Sequence, residues 1–155
     1  LTLMREIHRI IASALLFSSD GKLLLGKKDP TSGGVYLDCR HLPGGGIDEG
    51  ESLHDAVIRE VSEEVGIDIH DTEITHLPYV DTGVSEKTLK DTGEKVLCHM
   101  EFNRFQITID QPAHEIETVL SDDLVEVRWF TQEELTTIQL VPGGREFFEK
   151  MGLIK

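Results

Sequence analysis

Positive charge is scarce in this chain. Fifteen Lys and Arg residues stand against 29 Asp and Glu, for a formal net charge of -14. That balance argues against sequence-independent nucleic-acid binding, which rests on Lys and Arg contacts to phosphates. Cysteine is scarce too. Cys39 and Cys98 offer neither zinc spacing nor a disulfide framework, and read as free thiols in a reducing compartment. No apolar run approaches the roughly 20 residues of a bilayer-spanning helix. Residues 1–16 lack the long apolar stretch and small-residue cleavage site of a signal peptide, so a cytoplasmic location is expected, with Met4 as a native start. None of the seven histidines stands at a zincin spacing, and no Ser-His-Asp assignment has local motif support.

What remains is ordinary for a single globular domain: 155 residues, 39% apolar and 28% charged. Residues 10–17 read as a buried strand, 18–21 as its turn and 22–27 as the returning strand of a hairpin. Residues 29–34 read as a loop, and 35–42 as holding a short strand. A helix is expected from Ser52, its N-cap, to about Val65, with Gly66 beyond its end. Further strands are expected near 74–80, over 96–109 and over 124–130. Residues 81–94 read as a polar, exposed excursion. Residues 111–123 read as an acidic loop. Thr131 to Glu134 form a capping box opening a short helix, and a last helix follows Pro142-Gly143-Gly144 over roughly 145–151. This order of elements suggests an α+β or mixed α/β layer fold.

The central helix carries an unusual charge pattern. Arg59-Glu60-Val61-Ser62-Glu63-Glu64 places three carboxylates within five residues. With Leu53 at zero on a helix turning about 100° per residue, Val57, Val61, Val65 and Ile58 fall at roughly 40° to 140°. Glu60 and Glu64 fall at roughly -20° and +20°, and Glu63 at about -80°. Glu64 therefore borders the buried stripe. Like charges at i,i+4 destabilise a helix, and partial burial adds to the cost unless a hard cation takes the oxygens. An ordinary solvated acidic face, with Arg59 pairing to Glu63, is the competing reading. The preceding loop, Gly45 to Ser52, is a near miss for a P-loop. Glu51 stands where the phosphate-binding lysine would be, and Asp48 and Glu49 add further negative charge.

The flanks decide between the two readings. Gly45, five residues, Glu51, seven residues, then Arg59-Glu60-Val61-x-Glu63-Glu64-x-Gly66-Ile67 resembles the Nudix box, G-x5-E-x7-R-E-U-x-E-E-x-G-U, where U is a bulky aliphatic residue. All nine specified positions over 23 residues match. The resemblance implies an α/β (α+β) fold with a mixed sheet between helices. It implies that Glu60 and Glu64 bind Mg2+ or Mn2+, that Glu63 is a further ligand or the general base, and that the Gly45 carbonyl joins the coordination. Arg59 would orient these acids, with Glu51 more structural. Of the acids, Glu63 is our choice of base. Lys27 stands where relatives often carry a phosphate-binding residue, whereas Lys28 reads as surface. Arg5, Arg9 and Arg40 carry no motif. Relatives often bring an extra acid from the region of residues 111–123, and among Glu115, Glu117, Asp122 and Asp123 the choice falls on Glu117.

The implied activity is metal-dependent hydrolysis of a nucleoside diphosphate linked to another moiety, by water attack on phosphorus. A small nucleotide is the expected partner, with no polymeric nucleic acid and no membrane. Subgroup marks past the box are absent, since residues 81–85 read Asp-Thr-Gly-Val-Ser. A nucleoside triphosphate or related nucleotide is therefore favoured by elimination. Nucleotide sugars, ADP-ribose and dinucleoside polyphosphates stay open as substrates. So does a Nudix-like ligand sensor without turnover, although such modules commonly lose box acids and none is missing here. An isoprenoid diphosphate isomerase would need a catalytic cysteine, for which Cys39 lies near the box. A homodimer, with residues 81–94 as one contact, is also left open.

Overall fold

The computed structural model describes residues 3–29, 38–121 and 123–155. Its frame is two long strands, β1 (Arg5–Phe17) and β7 (Lys95–Thr108), paired in parallel from Arg5↔Val96 to Phe17↔Thr108. Between them in sequence come β2 (Leu23–Lys28), β3 (Arg40–His41), β4 (Gly44–Gly46), helix α1 (Leu53–Val65), β5 (Thr75–His76) and β6 (Asp81–Thr88). After β7 come β8 (Leu124–Phe130) and helix α2 (Gly144–Lys150). The main strand order is β3-β2-β1-β7-β5, with β4 on β1, β6 on β7 and β8 on β2.

Strand alternation distributes the core to both faces. Ala12, Ala14 and Leu16 of β1 are fully buried with Val57, Val61 and Val65 of α1. Leu15, which points the other way, packs with Phe147 and Phe148 of α2. The sheet thus lies between the two helices, a mixed α/β arrangement. The apolar stripe of α1 is the one its spacing predicts. Burying each of its valines contributes roughly 1.5–3 kcal/mol.

Local chemistry sets the helix ends. The Ser52 hydroxyl accepts the Asp55 N–H at 3.0 Å, and Gly66 ends α1 in the left-handed region at φ 73°. A Cβ at Gly66 would also stand 2.9 Å from Cβ of Val119. Gly66→Ala is therefore expected to cost about 1–2 kcal/mol, read as a lower Tm in thermal denaturation.

Several expectations are corrected. Residues 81–88 are not an excursion but an edge strand, paired antiparallel with β7 from Asp81↔Phe102 to Thr88↔Lys95. Polar outward residues hid it, because its exposed and half-buried positions alternate. The β1–β2 hairpin is reduced to one register pair, Phe17↔Leu23, since β7 is the long partner of β1. The strand expected over 74–80 shortens to Thr75–His76. The Thr131–Glu134 capping box forms reciprocally, at 3.0 and 3.2 Å, but opens only a 3₁₀ turn, Glu134–Thr136. Of the strand expected over 35–42, residues 40–41 form β3, and 35–37 lie outside the described residues, as do 30–34 of the preceding loop.

The glycines before α1 place the site. Gly44, Gly45 and Gly46 are not merely loop but strand β4, set against Ser13, Ala12 and Ile11. A side chain at Gly44 would run into the Ala12 carbonyl and the Ser13 backbone. This close approach brings the β4 backbone beside the polar edge of α1.

Candidate active site

The acids of α1 meet β4 across a short gap. Glu64 turns inward, and its Oε2 accepts the Gly44 N–H at 2.9 Å. Burial pushes its carboxyl up to about 7, against the Gly44 hydrogen bond and the Lys28 charge, while Glu60 and Asp123 push it further up. Glu60 lies against Gly45, where a Cβ would sit 2.7 Å from its carboxyl atoms. Burial also raises the Glu60 carboxyl, and Arg59 opposes that rise. Glu63 is different. Its side chain is 61% exposed, open to solvent.

Arg59 ties these parts together. Its Nε and Nη2 donate to Glu51 Oε2 and Oε1 at 2.8 and 2.9 Å, a two-point fork. Nη2 also donates to the Gly46 carbonyl at 3.1 Å. Nη1 donates to Glu60 at 3.0 Å and to Glu63 at 3.1 Å. The i,i+4 pair of the competing surface reading is therefore present, but as one arm of a larger network. The Arg59 hydrogen bonds, with that of the Asp48 N–H, hold the Glu51 carboxyl at about 2. Glu51 thus anchors the arginine rather than facing the gap.

Other expected residues are placed as follows. Lys27 is half-buried on β2, in register with Arg40 and Glu126 on its two sides. Lys28, the neighbour read as surface, is exposed, yet its charge acts on Glu64. Glu117 is exposed and makes no hydrogen bond or ion pair among the described residues. Its loop is fastened to the end of α1 by Val119 N–H on Val65 O at 2.9 Å and Ser121 N–H on Glu64 O at 3.2 Å. Asp123 is the acid of that loop whose charge reaches Glu64, and Asp122 lies outside the described residues. Sequence reasoning passed over Arg9. Its guanidinium packs on Gly46 and its charge acts on Glu60. Only the β1–β4 register brings it there, and no local pattern encodes that register.

The donor set fits a hard divalent cation. It is all oxygen, with two half-buried carboxylates on one helix edge and a glycine backbone beside them. Among the described residues no three acidic, His or Cys side chains converge in metal-holding geometry. Arg59 draws in Glu60 and Glu63, and Gly44 holds Glu64.

The raised Glu64 carboxyl has a measurable consequence. Its pKa is about 7 folded against 4.5 as the ordinary value, so the fold prefers the neutral acid. Its favourable contribution is complete below the ordinary value and is lost as pH rises through about 7. In chelator, the Tm of Glu64→Gln minus that of wild type is expected to grow between pH 5 and 8. Added Mg2+ is expected to raise the wild-type Tm more at pH 8 than at pH 5. Differential scanning calorimetry checks both.

A family model described as the NUDIX domain matches residues 7–151. The chain is 30% identical over 139 residues to the nucleoside triphosphatase NudI of Escherichia coli O17:K52:H18, covering 90% of this chain and 94% of that protein. It superposes on the MutT protein of Methanosarcina mazei Go1 with a TM-score of 0.61 at 28% identity, covering 96% and 95% of the two chains. The Escherichia coli dihydroneopterin triphosphate pyrophosphohydrolase shares the fold, with a TM-score of 0.67 at 14% identity over 93% and 96%.

Proposed function

The chain belongs to the Nudix hydrolase family, and from that membership we propose that it is a metal-dependent pyrophosphohydrolase acting on a nucleoside triphosphate. The observation that carries this reading is Glu64, a half-buried carboxylate held by a backbone N–H beside Glu60. A surface acid has no need of such a setting. The similarity to a nucleoside triphosphatase over most of both chains supports the substrate class. We read the chain as one domain, working in the cytoplasm on a small nucleotide and not on polymeric nucleic acid. No helix among the described residues is long and apolar enough to cross a membrane.

In this reading Glu60, Glu64 and the Gly45 carbonyl hold Mg2+ or Mn2+, with Glu63 and Glu117 as further acids. When bound, the cation supplies charge neutralisation on the phosphate oxygens and a more acidic water. Glu63, open to solvent and oriented by Arg59 Nη1, accepts the proton of the attacking water. Water adds to a phosphorus, and the anhydride P–O bond to the leaving phosphate breaks. Arg59 opposes the rise of the Glu60 carboxyl and fixes Glu60 and Glu63 in direction. Lys27 steadies the phosphates.

Product chromatography over a panel tests this. The panel holds the nucleoside triphosphates, ADP-ribose, sugar nucleotides and diadenosine polyphosphates. A triphosphate is expected to yield the monophosphate and pyrophosphate with Mg2+ and nothing with chelator. Silence across the panel with nucleotide binding retained would replace the hydrolase reading by that of a ligand sensor.

A further inference from the structure

The start of β1 carries a second group of donors, apart from the box. His8 and His99 pair in register across the parallel β1–β7 ladder, so their side chains stand on the same face of the sheet. Their rings are stacked, with centroids 4.8 Å apart and planes within 16° of each other. Glu6, two residues earlier on the same face, accepts a hydrogen bond from His99 Nε2 at 2.7 Å. His8 and Glu6 are exposed and His99 is half-buried, so this group of side chains meets solvent directly.

Two imidazoles and a carboxylate suit a borderline cation such as Zn2+, Ni2+ or Cu2+, whereas an all-oxygen set suits Mg2+ or Mn2+. Zinc bonds of about 2.0–2.1 Å set neighbouring donors of a tetrahedron about 3.3 Å apart. The His99–Glu6 contact lies near that spacing, and the stacked His8 ring supplies the third donor. As the side chains stand, the hydrogen bond and the stack hold the three, short of metal-holding geometry, and a turn of the exposed His8 ring is what the third bond requires. On the side away from β7, His8 lines a cleft of about 270 Å³ with Ile10, Ile47, Asp48 and Glu49, whose negative charges favour a cation. His70 also meets carboxylates, at 2.7 and 3.1 Å, but Asp68 and Asp71 take its two nitrogens separately, and no second imidazole stacks on it among the described residues.

We propose that His8, His99 and Glu6 form a binding site for a borderline divalent cation, Zn2+ foremost, which ties the start of β1 to β7. The cation takes the place of the proton between His99 Nε2 and Glu6 Oε1, and that ring then carries its proton on Nδ1. The site differs in chemistry from the box acids, and β1 joins the two. From His8 the same face runs through Ile10 to Ala12, which pairs with the Gly45 that abuts Glu60. The site stands whether or not the chain turns over a nucleotide.

The test is calorimetric titration of the untagged chain with Zn2+, in excess Mg2+ to compete at the box acids. Zn2+ is expected to bind saturably and to raise the Tm of the wild type. His8→Gln and His99→Gln are each expected to weaken that binding by about tenfold or more, equivalent to at least ~1.4 kcal/mol, and to remove the rise in Tm. Glu6→Gln should weaken it too, and is read in place of a histidine variant that fails to fold. His70→Gln should bind as wild type. Absence of Zn2+ binding in excess Mg2+, wild-type affinity in the histidine variants, or an equal loss in His70→Gln would overturn the proposal. Zn2+ binding that survives both histidine substitutions and is lost in Glu64→Gln would place the ion at the box and overturn it as well.

Discussion

Glu64→Gln is expected to lower kcat/KM for the preferred nucleotide by about three orders of magnitude while the protein stays folded. The substitution keeps the shape of the side chain. The amide oxygen can still accept the Gly44 N–H that Glu64 now accepts at 2.9 Å. What is lost is the negative charge beside Glu60, which in the proposed mechanism would hold a divalent cation. Metal titration should show the same loss, because the glutamine cannot compete for the ion as a carboxylate does. A variant that is fully active, or inactive only because it is unfolded, would remove Glu64 from the chemistry. Steady-state kinetics with circular dichroism on the same samples distinguishes these outcomes.

Arg59→Lys is expected to lower kcat/KM by about 10- to 100-fold and folding stability by about 2 kcal/mol. Charge is conserved in this change, but geometry is not. The guanidinium makes five hydrogen bonds: two to Glu51, one to the Gly46 carbonyl, and one each to Glu60 and Glu63. An ammonium has three donors on a flexible stem and cannot fork onto Glu51 while spanning the rest. Glu60 would lose its fixed direction, and β4 its tie to α1. Denaturant unfolding and kinetics check the two parts, and a lysine variant indistinguishable from wild type would show that Arg59 supplies charge alone.

Much of the acid cluster was legible in the sequence because a helix is a local object. The angles of Leu53, Val57, Val61 and Val65 placed the buried stripe, and Glu60 and Glu64 at its border are the acids that the fold half-buries. Ser52 and Gly66 marked both ends of α1. Long-range pairing was less legible. The parallel match of β1 with β7 joins segments at opposite ends of the box, so residues 10–17 and 22–27 looked like simple hairpin partners. Residues 81–88 looked like an excursion because an edge strand needs few apolar residues. The same gap hid Arg9, Lys28 and Asp123, whose relation to the acids depends on register and on a loop fold. Lys27 and Glu117 were chosen by family position, which specifies a place in the order of elements but not the direction of a side chain.

The central claim is that acids on α1 drive water onto a phosphorus of a nucleotide anhydride in the presence of a divalent cation. Hydrolysis of a nucleoside triphosphate in 18O-labelled water, with products weighed by mass spectrometry, tests it most directly. With Mg2+ present, one labelled oxygen is expected in a phosphate product, and chelator or Glu64→Gln should abolish its appearance. Turnover that proceeds unchanged in chelator, or that leaves every phosphate product unlabelled, would contradict the account.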